Sequence, residues 1–267
     1  MSKENIILSR SLGFEGLANT RDLGGMIGRD GKRIKTGKLV RSSLLCRATE
    51  EDLERLPQVV SLVVDFRSDA ERKLQPDPEL AGVEHVALPA VAGAAPGVTR
   101  EEDSLQAVLI LLNDPEKARA HMIRTYRDII TSTFSLAQYE RFLRLLLEGR
   151  ERAILWHCTA GKDRAGMAAF FVEKLLGVSD ETLRADYMKS NDYLTEEVEQ
   201  MARAFASHGE AIHPEAVDYM FGAKIEFLDV VEQSITEHYG TYDIFFREGL
   251  HLSDEDQVRL REMYLEM

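Results

Sequence analysis

Cysteine is nearly missing from this sequence: 267 residues contain two, Cys46 and Cys158, too few for a disulfide framework and short of a cysteine-rich zinc site. Tryptophan occurs once, at Trp156. No run of about 18 apolar residues is present, so no integral membrane segment is expected. The opening Met1-Ser2-Lys3-Glu4-Asn5 lacks the charged-then-apolar layout of a secretory signal. A cytoplasmic location is the expectation, and export without a signal peptide is compatible with the same features. Positive charge is scarce against negative: 33 Lys and Arg face 46 Asp and Glu, a net charge of −13. That balance repels nucleic acid and anionic membrane at long range, so any anionic substrate must be captured by a local positive site. Internal repeats and low-complexity segments are also missing.

What is present suffices for one core. With 44% hydrophobic residues, a single α/β domain over 1–267 is expected. The first half reads as short strands and turns, with a Gly-rich stretch from Asn19 to Gly25, a turn at Asp30-Gly31 and a strand over Lys38 to Ser42. Thr49 followed by Asp52 marks the N-cap of a short helix to Leu56, ended by Pro57. Val59 to Phe66 is a valine-rich run of strand length, as for a strand buried on both faces, and Val83 to Leu88 is a weaker candidate. Between Pro89 and Asp114 the composition turns to Ala, Gly and Pro and then to charge, which predicts a mobile or lid insertion over 89–114. Two helical patterns fill Pro115 to Gly149, and Ala153 to His157 is a compact strand. Arg164 to Leu176 is a helix apolar nearly all round, which belongs in the middle of a fold. Beyond Ser179 the chain reads as helical, with a break around Gly209 to Pro214 and a stop near Gly240. The sum is a central sheet surrounded by helices with a helix-rich C-terminal half.

Between that compact strand and that apolar helix lies His157-Cys158-Thr159-Ala160-Gly161-Lys162-Asp163-Arg164-Ala165-Gly166, in which five residues separate a cysteine from an arginine. A short loop running into a helix N-terminus can aim its backbone N–H groups inward as a nest for a dianion. Gly161 permits the close turn, and the planar fork of Arg164 grips two phosphate oxygens as lysine cannot. The amides, the helix start and the two cations all favour the sulfur anion, the nucleophilic form. In-line attack by Cys158 on phosphorus follows, with the amides and Arg164 stabilising the equatorial oxygens. A buried cysteine is often only a small hydrophobe, but Lys162, Asp163 and Arg164 close behind it are out of keeping with a plain core position. A nucleotide-binding loop is disfavoured, since Asp163 rather than Ser or Thr follows Gly161-Lys162.

At these residues the chain resembles the cysteine-dependent phosphatases, whose signature is His-Cys, five residues, Arg; the form Cys-Thr-Ala-Gly-Lys-Asp-Arg is similar to their bacterial tyrosine and phosphoinositide branch. Asn19 to Gly25 resembles that branch's Asn-x-Arg-Asp-Leu-Gly-Gly element, and Val64 to Ser68 followed by Glu71-Arg72 its Asp-Leu-Arg-Ser strand end. Tyr239-Gly240 and Leu250 to Asp254 also resemble it. The resemblance implies a sheet of about four or five strands surrounded by helices, no metal and no cofactor. It implies a phosphorylated protein or phosphoinositide as substrate: phosphotyrosine, with phosphoserine, phosphothreonine or an inositol lipid as further possibilities. It implies that Thr159, Ala160, Gly161 and Lys162 bind substrate, the lysine resembling an extra cation of lipid phosphatases. Two positions depart from the pattern. Ala165 stands where Ser or Thr usually helps the thiolate leave, and no Trp-Pro-Asp loop exists to supply an acid. The resemblance then points to Asp163 as general acid, although it could instead cap the helix beginning at Arg164.

Asp65, Asp69 and Asp77 are alternative acids. His157 is expected to brace the loop; Arg21 and Asp22 either support the pocket or form a local ion pair, and Arg67 either orients the loop or is solvated. Cys46 is a possible resolving partner for Cys158, though a thiol without a role is the commoner case. His208, His213, His238 and His251 lack zinc-ligand spacing. A monomer is expected, since no dimerisation heptad occurs. Two rivals to the hydrolase are a sulfurtransferase and a phosphate-binding module without turnover, the latter kept open by Ala165.

Overall fold

Alternation along two short apolar strands decides which helices cover which face of the sheet. In the computed structural model, which describes residues 6–99, 105–207 and 212–267, Val60–Asp65 and Ala153–His157 are neighbouring parallel strands buried on both faces. Leu62, Val64, Phe66, Ile154 and Trp156 join the larger core, while Val60, Val63, Ala153 and Leu155 join a smaller one with Phe14, Leu45 and Leu56. In chain order the elements that place the site are β1 (Arg10–Ser11), β2 (Arg21–Asp22), β3 (Arg33–Ile34), β4 (Leu39–Ser42), α1 (Glu50–Val59), β5 (Val60–Asp65), α2 (Asp69–Leu74) and β6 (Glu84–Ala87). Then come α3 (Leu105–Leu112), α4 (Pro115–Thr131), α5 (Thr133–Glu148), β7 (Ala153–His157), α6 (Arg164–Leu176), α7 (Asp180–Met188), α8 (Ser190–Ser207), α9 (Pro214–Phe221) and α10 (Ile225–Tyr239). The chain closes with α11 (Tyr242–Ile244), α12 (Asp254–Tyr264) and β8 (Leu265–Glu266).

Among the described residues the main sheet has six strands in the order β1-β2-β4-β7-β5-β6, and β3 pairs with β8 separately. From β4 to β6 all pairs are parallel, whereas β1 and β2 add on antiparallel. The mixed α/β class agrees with expectation. The count exceeds four or five because β1 and β2 are two-residue pieces too short to leave a period in the sequence. Pro57 does not end α1, which runs on to Val59: its missing N–H falls in the last turn, and the Val60 N–H still bonds the Leu56 carbonyl. The capping box of Thr49 and Asp52 forms as read. All of α6 except Lys174 is buried, so this helix is the axis of the helical layer. Of the break expected around Gly209 to Pro214, residues 208–211, with His208, lie outside the described residues; Pro214 opens α9. No helix among the described residues is long and apolar enough to cross a membrane.

Candidate active site

The register pairs Ser42 and Asp65 with His157, so the ends of three parallel strands lie side by side where β7 hands over to the loop Cys158–Asp163. This is the carboxyl edge of a parallel sheet, the usual place for a site in such folds. Three successive carbonyls of the loop are taken from outside. The Leu44 N–H donates to Thr159 at 3.1 Å, Asn19 Nδ2 to Ala160 at 3.0 Å, and Arg41 Nη2 to Gly161 at 2.7 Å. With the carbonyls turned out, the intervening amides face the opposite way. Among the described residues none accepts a hydrogen bond from the N–H groups of Thr159 to Arg164. Gly161 is required here on two counts: its φ is +69°, and a Cβ would stand 2.6 Å from the Ser42 carbonyl oxygen.

Arg164 is turned inward and is 1% exposed. Its Nη1 and Nη2 donate to the two oxygens of Glu71 at 2.5 and 2.9 Å, and Nη2 also reaches the carbonyl of Val98 at 2.6 Å. Its Nε is buried without a partner. Glu71 takes a further hydrogen bond from Thr159 Oγ1 at 2.6 Å. Burial is the largest influence on both groups and works against charge. The pairing overcomes it, raising Arg164 and bringing the Glu71 carboxyl down to about 2. Cys158 is buried at the edge of the larger core, close enough to Arg164 to act on it electrostatically.

Asp163 does not cap α6: its side chain makes no capping hydrogen bond. Instead Oδ1 accepts from the Tyr126 hydroxyl at 2.6 Å and lies 3.3 Å from Lys162 Nζ. The Lys162 ammonium is 1% exposed and donates to the carbonyls of Gly222 at 3.0 Å and Met220 at 3.3 Å. Thr159, Ala160, Lys162 and Asp163 line one cavity with Val98, Leu194, Glu197, Val198, Met201 and Phe221 over it. Its interior offers about 20 Å³, room for a single water. Of the 89–114 stretch, the turn at 95–99 therefore lies against the loop, residues 100–104 lie outside the described residues, and 105–112 form α3.

His157 braces the loop from behind, with Nε2 2.9 Å from Asp77 and Nδ1 3.2 Å from the Cys158 carbonyl. Burial pulls its pKa down, but Asp65 and Asp77 prevail and raise it. Arg67 joins those two carboxylates, donating to each at 2.8 Å. Asp65, Asp77 and His157 are the one metal-ligand-like group among the described residues, and Arg67 already neutralises it. Arg21 is fully buried and pairs with Asp186, not Asp22; it also donates to Ser190 Oγ at 3.2 Å. Asp22 instead shapes its own turn by accepting from the N–H groups of Gly24 and Gly37. Asp69 is an exposed partner of Arg72, and Cys46 is an exposed free thiol.

Sequence reasoning passed over three residues that organise this site. Glu71, named in the sequence only within the strand-end element, forms a capping box with Ser68, and that local pattern does not announce its grip on Arg164. Arg41 was seen only as part of a strand, and Tyr126 only as a helical residue; neither has a local pattern that announces its partner.

The profile of the tyrosine phosphatase family matches residues 12–266. A Cupriavidus necator protein provisionally named a tyrosine-protein phosphatase is 31% identical over 256 residues, covering 95% of this chain and 88% of that one. The triple specificity protein phosphatase PtpB of Mycobacterium tuberculosis is 28% identical over 143 residues, 50% of this chain and 51% of PtpB. Among solved structures, Pseudomonas aeruginosa TpbA (C132S) in complex with phosphotyrosine covers 76% of this chain and 89% of its own, at 17% identity and a TM-score of 0.28.

Proposed function

The chain belongs to the tyrosine phosphatase family, and from that premise we propose that it hydrolyses phosphate monoesters, phosphotyrosine first, through a phosphocysteine. The observation that carries the reading is the loop itself. Its carbonyls are held outward, its amides are without an acceptor among the described residues, and the buried Nε of Arg164 is unpartnered. A phosphate dianion supplies the acceptors these donors lack. The sulfur of Cys158 attacks phosphorus in line, the S–P bond forms as the ester P–O bond breaks, and Asp163 gives its proton to the departing oxygen. Asp163 then takes a proton from the water that attacks phosphorus, and the S–P bond breaks to release inorganic phosphate. The amides of Thr159, Ala160, Gly161 and Lys162 and the fork of Arg164 hold the equatorial oxygens throughout.

Two features favour a phosphate on an aromatic body over a polyphosphorylated headgroup. The outer wall is apolar, from Val98, Leu194, Val198, Met201 and Phe221, and its charged member, Glu197, is already paired with Arg47. The cation nearest to serve a second phosphate, Lys162, is engaged by two carbonyls and Asp163. Because the cavity holds one water, the 95–99 turn or α8 must shift for a phenyl phosphate to enter, and the Val98 carbonyl must leave Arg164. The same pocket acts on phosphoserine and phosphothreonine more slowly, because those side chains are too short to reach the apolar wall.

The test is hydrolysis of p-nitrophenyl phosphate with a chelator present. Turnover is expected without metal, and Cys158→Ser abolishes it while retaining substrate binding. Activity that survives Cys158→Ser, or that vanishes on chelation, overturns the mechanism. Ala165 favours one second reading, a module that binds phosphate and turns over poorly: it offers no hydroxyl to help the sulfur leave. A burst of one equivalent of p-nitrophenol followed by a near-zero steady state identifies that case.

A further inference from the structure

The oxygen Oδ1 of Asp163 is the end of a chain of phenols from two other helices. Tyr126 on α4 donates to Oδ1 at 2.6 Å, and the hydroxyls of Tyr126 and Tyr187, the latter on α7, are 2.7 Å apart. Both phenols are buried, and burial above all raises the pKa of each, so both keep their protons. A phenol has one proton to give. That of Tyr126 goes to Asp163, so the hydroxyl of Tyr187 must be the donor between the two rings. The direction of the chain is therefore set: Tyr187 to Tyr126 to Asp163. The Tyr126 ring is fixed by stacking on Phe227 at a centroid separation of 4.8 Å.

We propose that the Tyr187–Tyr126 pair positions the acid, occupying Oδ1 so that the transferable proton resides on Oδ2, the oxygen left to the cavity. Oδ2 has no hydrogen-bond partner among the described residues, and Asp163 lines the cavity beside Thr159 and Ala160. Lys162 Nζ, 3.3 Å from Oδ1, acts in the same sense, since a proton placed between an ammonium and a phenol donor is disfavoured. Tyr126 and Tyr187 are positioning residues: Tyr126 bonds the acid, Tyr187 acts through Tyr126, and neither lines the cavity. The inference rests on Asp163 being the acid, and it adds that the acid's geometry depends on α4 and α7.

General acid catalysis matters most for a poor leaving group, and that supplies a readout a merely structural role would not move. Hydrolysis of p-nitrophenyl phosphate and of an alkyl phosphate is compared for the wild type, Tyr126→Phe, Tyr187→Phe, Asp163→Asn and the double variant Tyr126→Phe/Asp163→Asn. The expected result for Tyr126→Phe is a loss in kcat about 10-fold larger on the alkyl ester than on p-nitrophenyl phosphate, with little change in KM. Tyr187→Phe gives a smaller loss of the same kind. In the double variant the second substitution adds no further leaving-group dependence, because Tyr126 works only through Asp163. Equal losses of Tyr126→Phe on both esters, or none, overturn the positioning role while leaving Asp163 as the acid if Asp163→Asn is leaving-group dependent. If Asp163→Asn is not leaving-group dependent, the acid assignment fails and the positioning role fails with it. Should Tyr126→Phe not fold, Tyr187→Phe, whose partner ring stays stacked on Phe227, carries the same two outcomes.

Discussion

Replacing Glu71 by glutamine removes the counter-ion of Arg164, the proposed phosphate clamp, and keeps its shape. Glu71 is 3% exposed, and its carboxyl falls from an ordinary value of 4.5 to about 2 in the fold. At about 1.36 kcal/mol per unit, that depression contributes about 3 kcal/mol to stability at neutral pH. A lowered carboxyl pKa stabilises above the unfolded-state value, so this contribution is complete above about pH 5 and fades as pH falls through 4.5 toward 2. A second route gives a similar size: stripping one partner from a buried ion pair costs about 3–5 kcal/mol, because the other charge is left uncompensated. Glu71→Gln retains one acceptor for Arg164 or Thr159, which places the expected loss near the lower end, about 3 kcal/mol. Urea denaturation of wild type and variant at pH 7, 5 and 4 measures it, with the gap widest at pH 7 and narrowing at pH 4. Activity is affected independently, since Arg164 without its bidentate anchor can rotate off the phosphate; a fall in kcat/KM of about 100-fold is expected. A variant within about 1 kcal/mol of wild type at pH 7, with undiminished kcat/KM, refutes the reasoning. In that case the loop, and not Glu71, orients the guanidinium.

Gly161→Ala forces a side chain into φ +69° and against the Ser42 carbonyl, so the loop must open. A drop in kcat/KM on p-nitrophenyl phosphate of about 100-fold or more is expected, with retained helical circular dichroism. His157 is raised by Asp65 and Asp77, so its contribution to stability is full below the ordinary value of 6.5 and is lost as pH rises through the folded value. Asp77→Asn removes the charge of its 2.9 Å partner, and the variant should be less stable than wild type by about 1–2 kcal/mol at pH 6, with the gap shrinking toward pH 9. A gap independent of pH would mean that the histidine is neutral throughout.

The candidate site was legible in the sequence because the residues proposed for it are compressed into seven consecutive positions. Cys158 to Arg164 is a loop whose spacing alone demands a turn, a nest and a cation, and the strand before it and the helix after it announce themselves by unbroken apolar runs. Helices with long periods, such as α4, α5 and α6, and caps with a local chemical rule, such as Thr49 with Asp52, were readable for the same reason: their causes lie within a few residues. What required tertiary structure was every partnership across distance. Glu71 lies 93 residues from Arg164, Arg41 120 from Gly161, and Tyr126 37 from Asp163. Whether Asp163 caps a helix or faces a cavity, and whether Lys162 reaches outward or is tied to the end of α9, also depends on which helices the fold brings overhead. Sequence period reports which face of an element is apolar, but a buried charge is paired by whatever side chain the packing delivers, and that choice is made only when the layers close.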